Sequence, residues 1–155
     1  MENNKAIELL NDLIHIHKDR IMGYEKAIKE LKDPTLQGVR VIFMERADES
    51  RNFNSELSET VIRLGGEPAT ETTPFGNLYR VWMDLKTTLT GGSIKSVFEL
   101  CEFGEDVAVK TYDKAIGDNI DWPDGIYAML TRHRHALKDA HDMIKNYRDR
   151  VKAGI

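Results

Sequence analysis

Residues 4–32 read NKAIELLNDLIHIHKDRIMGYEKAIKELK. Within this stretch Ile7, Leu10, Ile14, His17, Ile21, Tyr24, Ile28 and Leu31 recur at alternating intervals of three and four residues. That interval places all eight on one stripe of an α-helix, while Glu8, Lys18, Lys26 and Lys29 occupy the other faces. An amphipathic helix of this length must bury its stripe against other helices. Only His17 interrupts the apolar seam.

Working outward, Lys32-Asp33-Pro34 ends this helix and opens another. Asp33 is placed to cap the new N-terminus, and Pro34 fits the first helical turn, where its missing N–H costs nothing. So short a connection sends the second helix back antiparallel, with Leu36, Val39, Phe43, Ala47, Ser50, Phe53, Leu57, Val61 and Leu64 inward and Gly65-Gly66 as the stop. A third long helix over 94–116 carries Ile94, Phe98, Cys101, Glu105, Ala108, Tyr112 and Ala115 on its stripe. A fourth starts at Asp121-Trp122-Pro123 and runs to about Lys152, with Ile126, Leu130, His133, Leu137, Ala140, Ile144, Tyr147 and Val151 inward.

The connection 65–92 is too long for a hairpin between neighbouring helices. Phe75, Leu78, Trp82, Leu85 and Leu89 predict a short helix inside it, opened by Pro74, that packs over the bundle. A connection of this length suits the crossover of a ferritin-like bundle; a five-helix zigzag is the alternative. The expected fold is therefore all-α: one domain over 1–155, a ferritin-like antiparallel four-helix bundle with a short extra helix between its second and third long helices. Val39-Arg40-Val41-Ile42-Phe43-Met44 is apolar around most of its helix, so either the 75–89 helix or a second copy of the chain is expected to cover it.

Composition narrows the class. The 155 residues carry a net charge of −4 with both signs interspersed, and no Lys/Arg cluster matches a phosphate backbone, so nucleic acid is not an expected partner. Cys101 is the lone cysteine, which rules out an internal disulfide and a thiolate-rich zinc site. Neither a secretory segment nor a bilayer-spanning run is visible, and the expected address is cytoplasmic, away from membranes.

Several motifs carry a resemblance. Leu10-Asn11-Asp12-Leu13-Ile14, Asp19-Arg20 and Gly23-Tyr24-Glu25-Lys26-Ala27 resemble the opening of a bacterial family of uncharacterised ferritin-like four-helix-bundle proteins. Ser55-Glu56-Leu57, Arg63-Leu64-Gly65-Gly66-Glu67-Pro68 and the run Tyr79 to Lys86 are similar to it as well. So are Cys101-Glu102-Phe103-Gly104-Glu105-Asp106-Val107-Ala108-Val109-Lys110-Thr111-Tyr112 and Ala140-His141-Asp142. The resemblance spans nearly the whole chain. It implies a ferritin-like fold and a cytoplasmic bacterial protein, with some relatives linked to stress responses, and it implies no defined activity.

A di-iron or di-manganese centre in such a bundle draws a Glu from each of two helices and Glu-x-x-His from the other two. Glu-x-x-His does not occur in this chain: the residue three before His141 is Lys138, and three before His133 is Leu130. Glu45 and Glu49 fall with Glu56 and Glu59 on what reads as a solvated face. His17, Ser50, Glu105 and His133, however, lie on apolar stripes, and His141 flanks the fourth. A buried carboxylate needs a partner, so Glu105 is expected to meet a histidine or a tyrosine hydroxyl. The leading reading is a hydrogen-bonded polar layer that fixes helix register. The alternative is a site for a single divalent metal ion among His17, Glu105, His133 and His141.

Function follows the same division. The first expectation is a non-enzymatic structural or interaction module that forms a homo-oligomer, with no catalytic residues and no cofactor. The second is a metal-binding oxidoreductase or iron-handling protein using the mid-bundle layer. The third is a small-ligand binder with Trp82 and Phe43 lining a pocket under the 75–89 helix.

Overall fold

The computed structural model describes residues 2–31, 34–70, 94–117 and 120–152. Helix α1 spans Glu2–Glu30, a 3₁₀ turn covers Pro34–Leu36, and α2 spans Gln37–Arg63, α3 Ile94–Gly117 and α4 Asp124–Lys152. The 75–89 helix, with Trp82, lies outside the described residues.

Cross-helix contacts give the directions. His17 of α1 meets Tyr112 of α3 while Arg20 meets Glu105, so later residues of α1 face earlier residues of α3. The same reversal holds between α1 and α2, where Asn54 donates to the Ile14 carbonyl and Arg20 meets Glu49. It also holds between α2 and α4, where Phe53 stacks on His133 and Thr60 approaches Met129. Two helices antiparallel to α1 must run parallel to each other. Thus α2 and α3 point the same way, as the crossover arrangement requires; the chain that joins them lies outside the described residues.

Helix ends obey local chemistry. The second long helix begins later than the Pro34 expectation: Pro34–Leu36 form the 3₁₀ lead-in, and Leu36 at the cap makes no side-chain capping bond. At its other end Gly65 has φ +89°, its N–H donates to the Ile62 carbonyl, and the Gly66 N–H donates to Val61, closing a Schellman motif. Gly66 then sits so close to Ile7 that an added Cβ would lie 2.8 Å from that side chain, which presses the start of the connection onto α1. Trp122, 7 % exposed, closes one end of the bundle by donating its indole N–H to the Ala115 carbonyl at 2.9 Å.

The stripes read from sequence are the core. Leu10, Leu13, Ile14, Phe43, Leu57, Val61, Leu130, Leu137 and Ile144 are fully buried. Phe43 packs edge-on against Phe98 and tilts against Tyr24, as part of the core; the pocket expected between it and Trp82 involves residues outside those described. Val41 and Met44 are about half exposed, which leaves an apolar strip on the first half of α2. Among the described residues no helix is long and apolar enough to cross a membrane.

Candidate functional site

Midway along the bundle the apolar stripes give way to ionisable side chains, and all are shut away from water. His17, Asp19, Arg20, Ser50, Glu105 and His133 are at most 1 % exposed, as are Tyr24 and Tyr112. Helical spacing assembles them. On α1, His17, Arg20 and Tyr24 are three and four residues apart, and on α3, Glu105 and Tyr112 are two turns apart.

Arg20 is the centre of this layer. Its Nε donates to Glu105 Oε1 at 2.6 Å and its Nη2 to Glu105 Oε2 at 3.1 Å, a bidentate pair between α1 and α3. Nη2 also donates to Glu49 Oε1 at 2.9 Å, and Nη1 donates to Ser50 Oγ at 2.9 Å and to the Arg46 carbonyl at 3.3 Å. Tyr24 donates its hydroxyl to Glu105 Oε1 at 2.9 Å. Burial pulls the Arg20 pKa down, but Glu105 first, with Tyr24 and Glu49, more than offset that and hold the guanidinium more firmly protonated than in water.

A second line of bonds leads away from Arg20. Ser50 Oγ lies 2.9 Å from His17 Nδ1, His17 Nε2 lies 2.6 Å from Tyr112 Oη, and Tyr112 Oη lies 2.9 Å from His133 Nδ1. A guanidinium only donates, so Ser50 accepts from Arg20. The direction of the remaining bonds is favoured from the far end, where His133 Nε2 faces the Glu56 carboxylate and holds the N–H, leaving Nδ1 to accept from Tyr112 and Ser50 to donate to His17 Nδ1. Burial first, then the charge on Arg20, pushes His17 well below the usual imidazole range, so it is neutral and carries its hydrogen on Nε2. That hydrogen goes to Tyr112, Tyr112 donates to His133 Nδ1, and His133 carries its hydrogen on Nε2. The chain then runs one way, from Ser50 to His133, with the Glu56 carboxylate favouring that direction.

The outer end stops at Glu56. His133 Nε2 is buried without a hydrogen-bond partner, and the nearest carboxylate oxygen, Glu56 Oε1, is 3.5 Å away. Glu56 is itself clamped by both terminal nitrogens of Arg132. Burial lowers His133 to about 4, with Glu56 pulling it up and Arg132 pushing it further down. Phe53 stacks on the ring at 3.9 Å.

Three of the four candidate residues therefore reach the layer in different roles. His17 and His133 are joined through Tyr112, whereas Glu105 meets Arg20 and the Tyr24 hydroxyl and no histidine. His141 is elsewhere: its Nδ1 lies 3.1 Å from Asp142 Oδ1 and its Nε2 3.8 Å from Glu102 Oε1, on the α3–α4 flank. Glu49, read as solvated, is bonded instead to buried Arg20, and Glu56, partly solvated and held by Arg132, turns one oxygen to within 3.5 Å of buried His133. Arg20 itself was hidden by the degeneracy of helical spacing, because both Arg20 and Ile21 fit between His17 and Tyr24. Ile21 turns out half-buried and Arg20 buried.

Two measurements check this reading. Arg20→Ala leaves Glu105 charged and unpaired and is expected to cost about 3–5 kcal/mol in urea unfolding, most of it recovered by the apolar double variant Arg20→Met with Glu105→Leu. A loss under about 1 kcal/mol, the surface-pair range, would contradict it. For pH, both buried histidines have lowered folded pKa values, so the unfolded chain binds protons that the native chain refuses. Their contribution is full above about 6.5 and is lost as pH falls. From pH 7 to 5, His133 alone should remove about 2 kcal/mol, with His17 adding in the same direction. A urea midpoint flat across that window would show the histidines are not held neutral.

Comparison with known proteins places this geometry. The chain superposes on a point mutant of Mycobacterium smegmatis Dps1 with a TM-score of 0.77 at 13 % identity, covering 94 % of this chain and 96 % of that one. It also superposes on a structure described as ferritin-like, diiron-carboxylate proteins from Bacillus anthracis str. Ames, with a TM-score of 0.63 at 16 % identity, covering 99 % and 96 %. Identities this low speak to the fold, which is ferritin-like. No curated protein sequence matches the chain closely enough to stand as a relative. The family model described as Domain of unknown function (DUF2383) matches residues 5–118. Its span covers most of the chain, in agreement with the resemblance carried by the sequence motifs, and the chain therefore belongs to the DUF2383 family.

Proposed function

We propose that this protein is a structural or interaction module built on a ferritin-like bundle, working without a dinuclear metal centre or other cofactor. One observation carries the reading: both oxygens of Glu105 are bonded to the Arg20 guanidinium. A carboxylate-bridged metal pair needs about four carboxylates and two imidazoles converging from four helices. Here the layer's own permanent cation takes Glu105 and Glu49. His17 is bonded at both ring nitrogens, and His133 presents an N–H rather than a lone pair. Among the described residues no group of three or more His, Cys, Asp or Glu side chains is arranged to hold a metal ion. The donor set does not fit two irons. A metal-dependent oxidoreductase or iron-handling role, or a single ion at His17, Glu105 and His133, would require Glu105 to leave Arg20.

The surface supplies the interaction. Val41 and Met44 stand exposed on α2, and Met44 lines a surface pocket with Glu25, Lys29, Asp48 and Arg51, where Arg51 is paired with Glu25 and Asp48. An exposed apolar strip beside a self-neutralising charge cluster suits an isologous contact with a second copy of the chain, the apolar residues meeting across the twofold axis. A cytoplasmic setting and a link to stress physiology accompany the family resemblance and are part of this proposal.

Anaerobic ferrous titration followed by oxygen is expected to show no saturation at two irons per chain and no bridged diferric absorption band; saturation at two would hand the lead to the oxidoreductase reading. In sedimentation at high micromolar concentration the protein is expected to run larger than a monomer, and Met44→Glu to reduce it to one. A monomeric parent protein would remove self-association from the proposal.

A further inference from the structure

Among the described residues Tyr112 stands apart from the other aromatic side chains. It is fully buried, and its hydroxyl lies 2.9 Å from His133 Nδ1 and 2.6 Å from His17 Nε2. With the His133 Nε2–H turned to the Glu56 carboxylate, the hydroxyl donates to His133 and accepts from His17. Behind His133 waits a carboxylate, Glu56, held by Arg132. Glu56 and Arg132 line a cleft of about 680 Å³ between α2 and α4, together with Arg63 and Met129. A buried phenol, a neutral imidazole, a carboxylate and a solvent-facing cleft thus follow one another in line.

We propose that Tyr112 is a one-electron donor whose phenolic proton moves to His133 as the electron leaves, toward a small inorganic radical such as nitrogen dioxide arriving at the protein surface. The O–H bond of Tyr112 breaks and an N–H bond forms at His133 Nδ1. The electron reduces nitrogen dioxide to nitrite, leaving a neutral phenoxyl radical and an imidazolium. No other bond changes, and charge balances between nitrite and the imidazolium.

Each neighbour has a part in that step. Oxidised phenol is strongly acidic, so a base within hydrogen-bond reach lets electron and proton leave together. The new positive charge on His133 would be costly in the core, but its Nε2–H already faces Glu56. The phenoxyl oxygen keeps its bond from His17, and burial shields the ring from other solutes. The charged and titratable groups facing the pair are His17 from α1, Glu56 and Glu49 from α2, and Arg132 from α4, with Arg20 acting through Ser50 and His17.

The competing side chains lack one of these parts. Tyr24 donates to Glu105, and a proton delivered there would leave Arg20 unpaired. Trp122 donates to a backbone carbonyl, which cannot take its proton. Tyr127 is half exposed, with nothing to shelter a radical. Cys101 is buried beside Glu105, so its thiol stays protonated. The proposal goes beyond the structural-module reading and does not rest on it.

The test uses the full chain with photogenerated tris(bipyridine)ruthenium(III) as oxidant, read by freeze-quenched electron paramagnetic resonance and the phenoxyl absorption band. The parent protein is expected to give a long-lived tyrosyl radical whose formation slows in deuterated solvent. Tyr112→Phe keeps the ring in the core and should abolish the long-lived signal. His133→Phe should slow its formation by about a hundredfold, the lower end of what a positioned base contributes. Glu56→Gln, an isosteric change at a half-buried position, should slow it by about tenfold, equivalent to about one pKa unit of lost basicity at His133. A long-lived signal surviving Tyr112→Phe, or a rate indifferent both to Glu56→Gln and to deuterated solvent, would overturn the proposal.

Discussion

A guanidinium shut inside a helical bundle has to be surrounded by acceptors, and Arg20 accounts for much of what the interior of this protein looks like. It draws Glu105 from α3 and Glu49 from α2 into the layer, and it takes a lone pair of Ser50. Desolvating two opposite charges costs several kcal/mol each, and only good geometry with every remaining lone pair satisfied brings that back. The bidentate pair, the Tyr24 hydroxyl on the same carboxylate and the Arg46 carbonyl meet that requirement. Because Arg20 cannot accept, Ser50 accepts from it, while the hydrogens on His17, Tyr112 and His133 are oriented by the Glu56 carboxylate at the other end of the layer. One side chain thus sets the charge balance of the layer.

A ferritin-like scaffold leaves the chemistry at its centre undetermined. Four helices converging on a polar layer can be neutralised by metal ions held among carboxylates, or by a cation that belongs to the chain itself. In the second case the layer is complete as soon as the chain has folded, and it gains register without depending on metal supply. The same choice frees the other half of the layer. With Glu105 occupied by Arg20, His17, Tyr112 and His133 are left to one another.

Most of the fold was legible from hydrophobic spacing. The stripes through Leu10 and Ile14, Phe43 and Leu57, and Leu137 and Ile144 are buried where the periodicity put them, and the length of the 65–92 connection anticipated the parallel course of α2 and α3. The site was legible only in part. His17, Ser50, Glu105 and His133 stood out because a polar residue on an apolar stripe violates the pattern. Arg20 did not, since an apolar neighbour, Ile21, satisfies the same spacing and hydrophobicity prefers it. Glu49 and Glu56 lie one position off the stripe, at the angle where a helix face passes from core to solvent. Periodicity cannot say which way a long carboxylate will turn there; that depends on a cation supplied by another helix.

The antiparallel pairing of α1 with α2 and of α3 with α4 bears on how the chain reaches this state. Each pair closes over a short sequence separation, so two helical hairpins form from nearby contacts, whereas Arg20–Glu105 and His17–Tyr112 join residues 85 and 95 positions apart. Of the groups bonded to Arg20, Glu49 and Ser50 belong to the first hairpin and Glu105 to the second. Sliding one hairpin past the other by a single turn would bury the arginine without its bidentate carboxylate, at the cost of an uncompensated charge. The polar layer thus discriminates among alignments of the two hairpins that apolar stripes alone would accept equally.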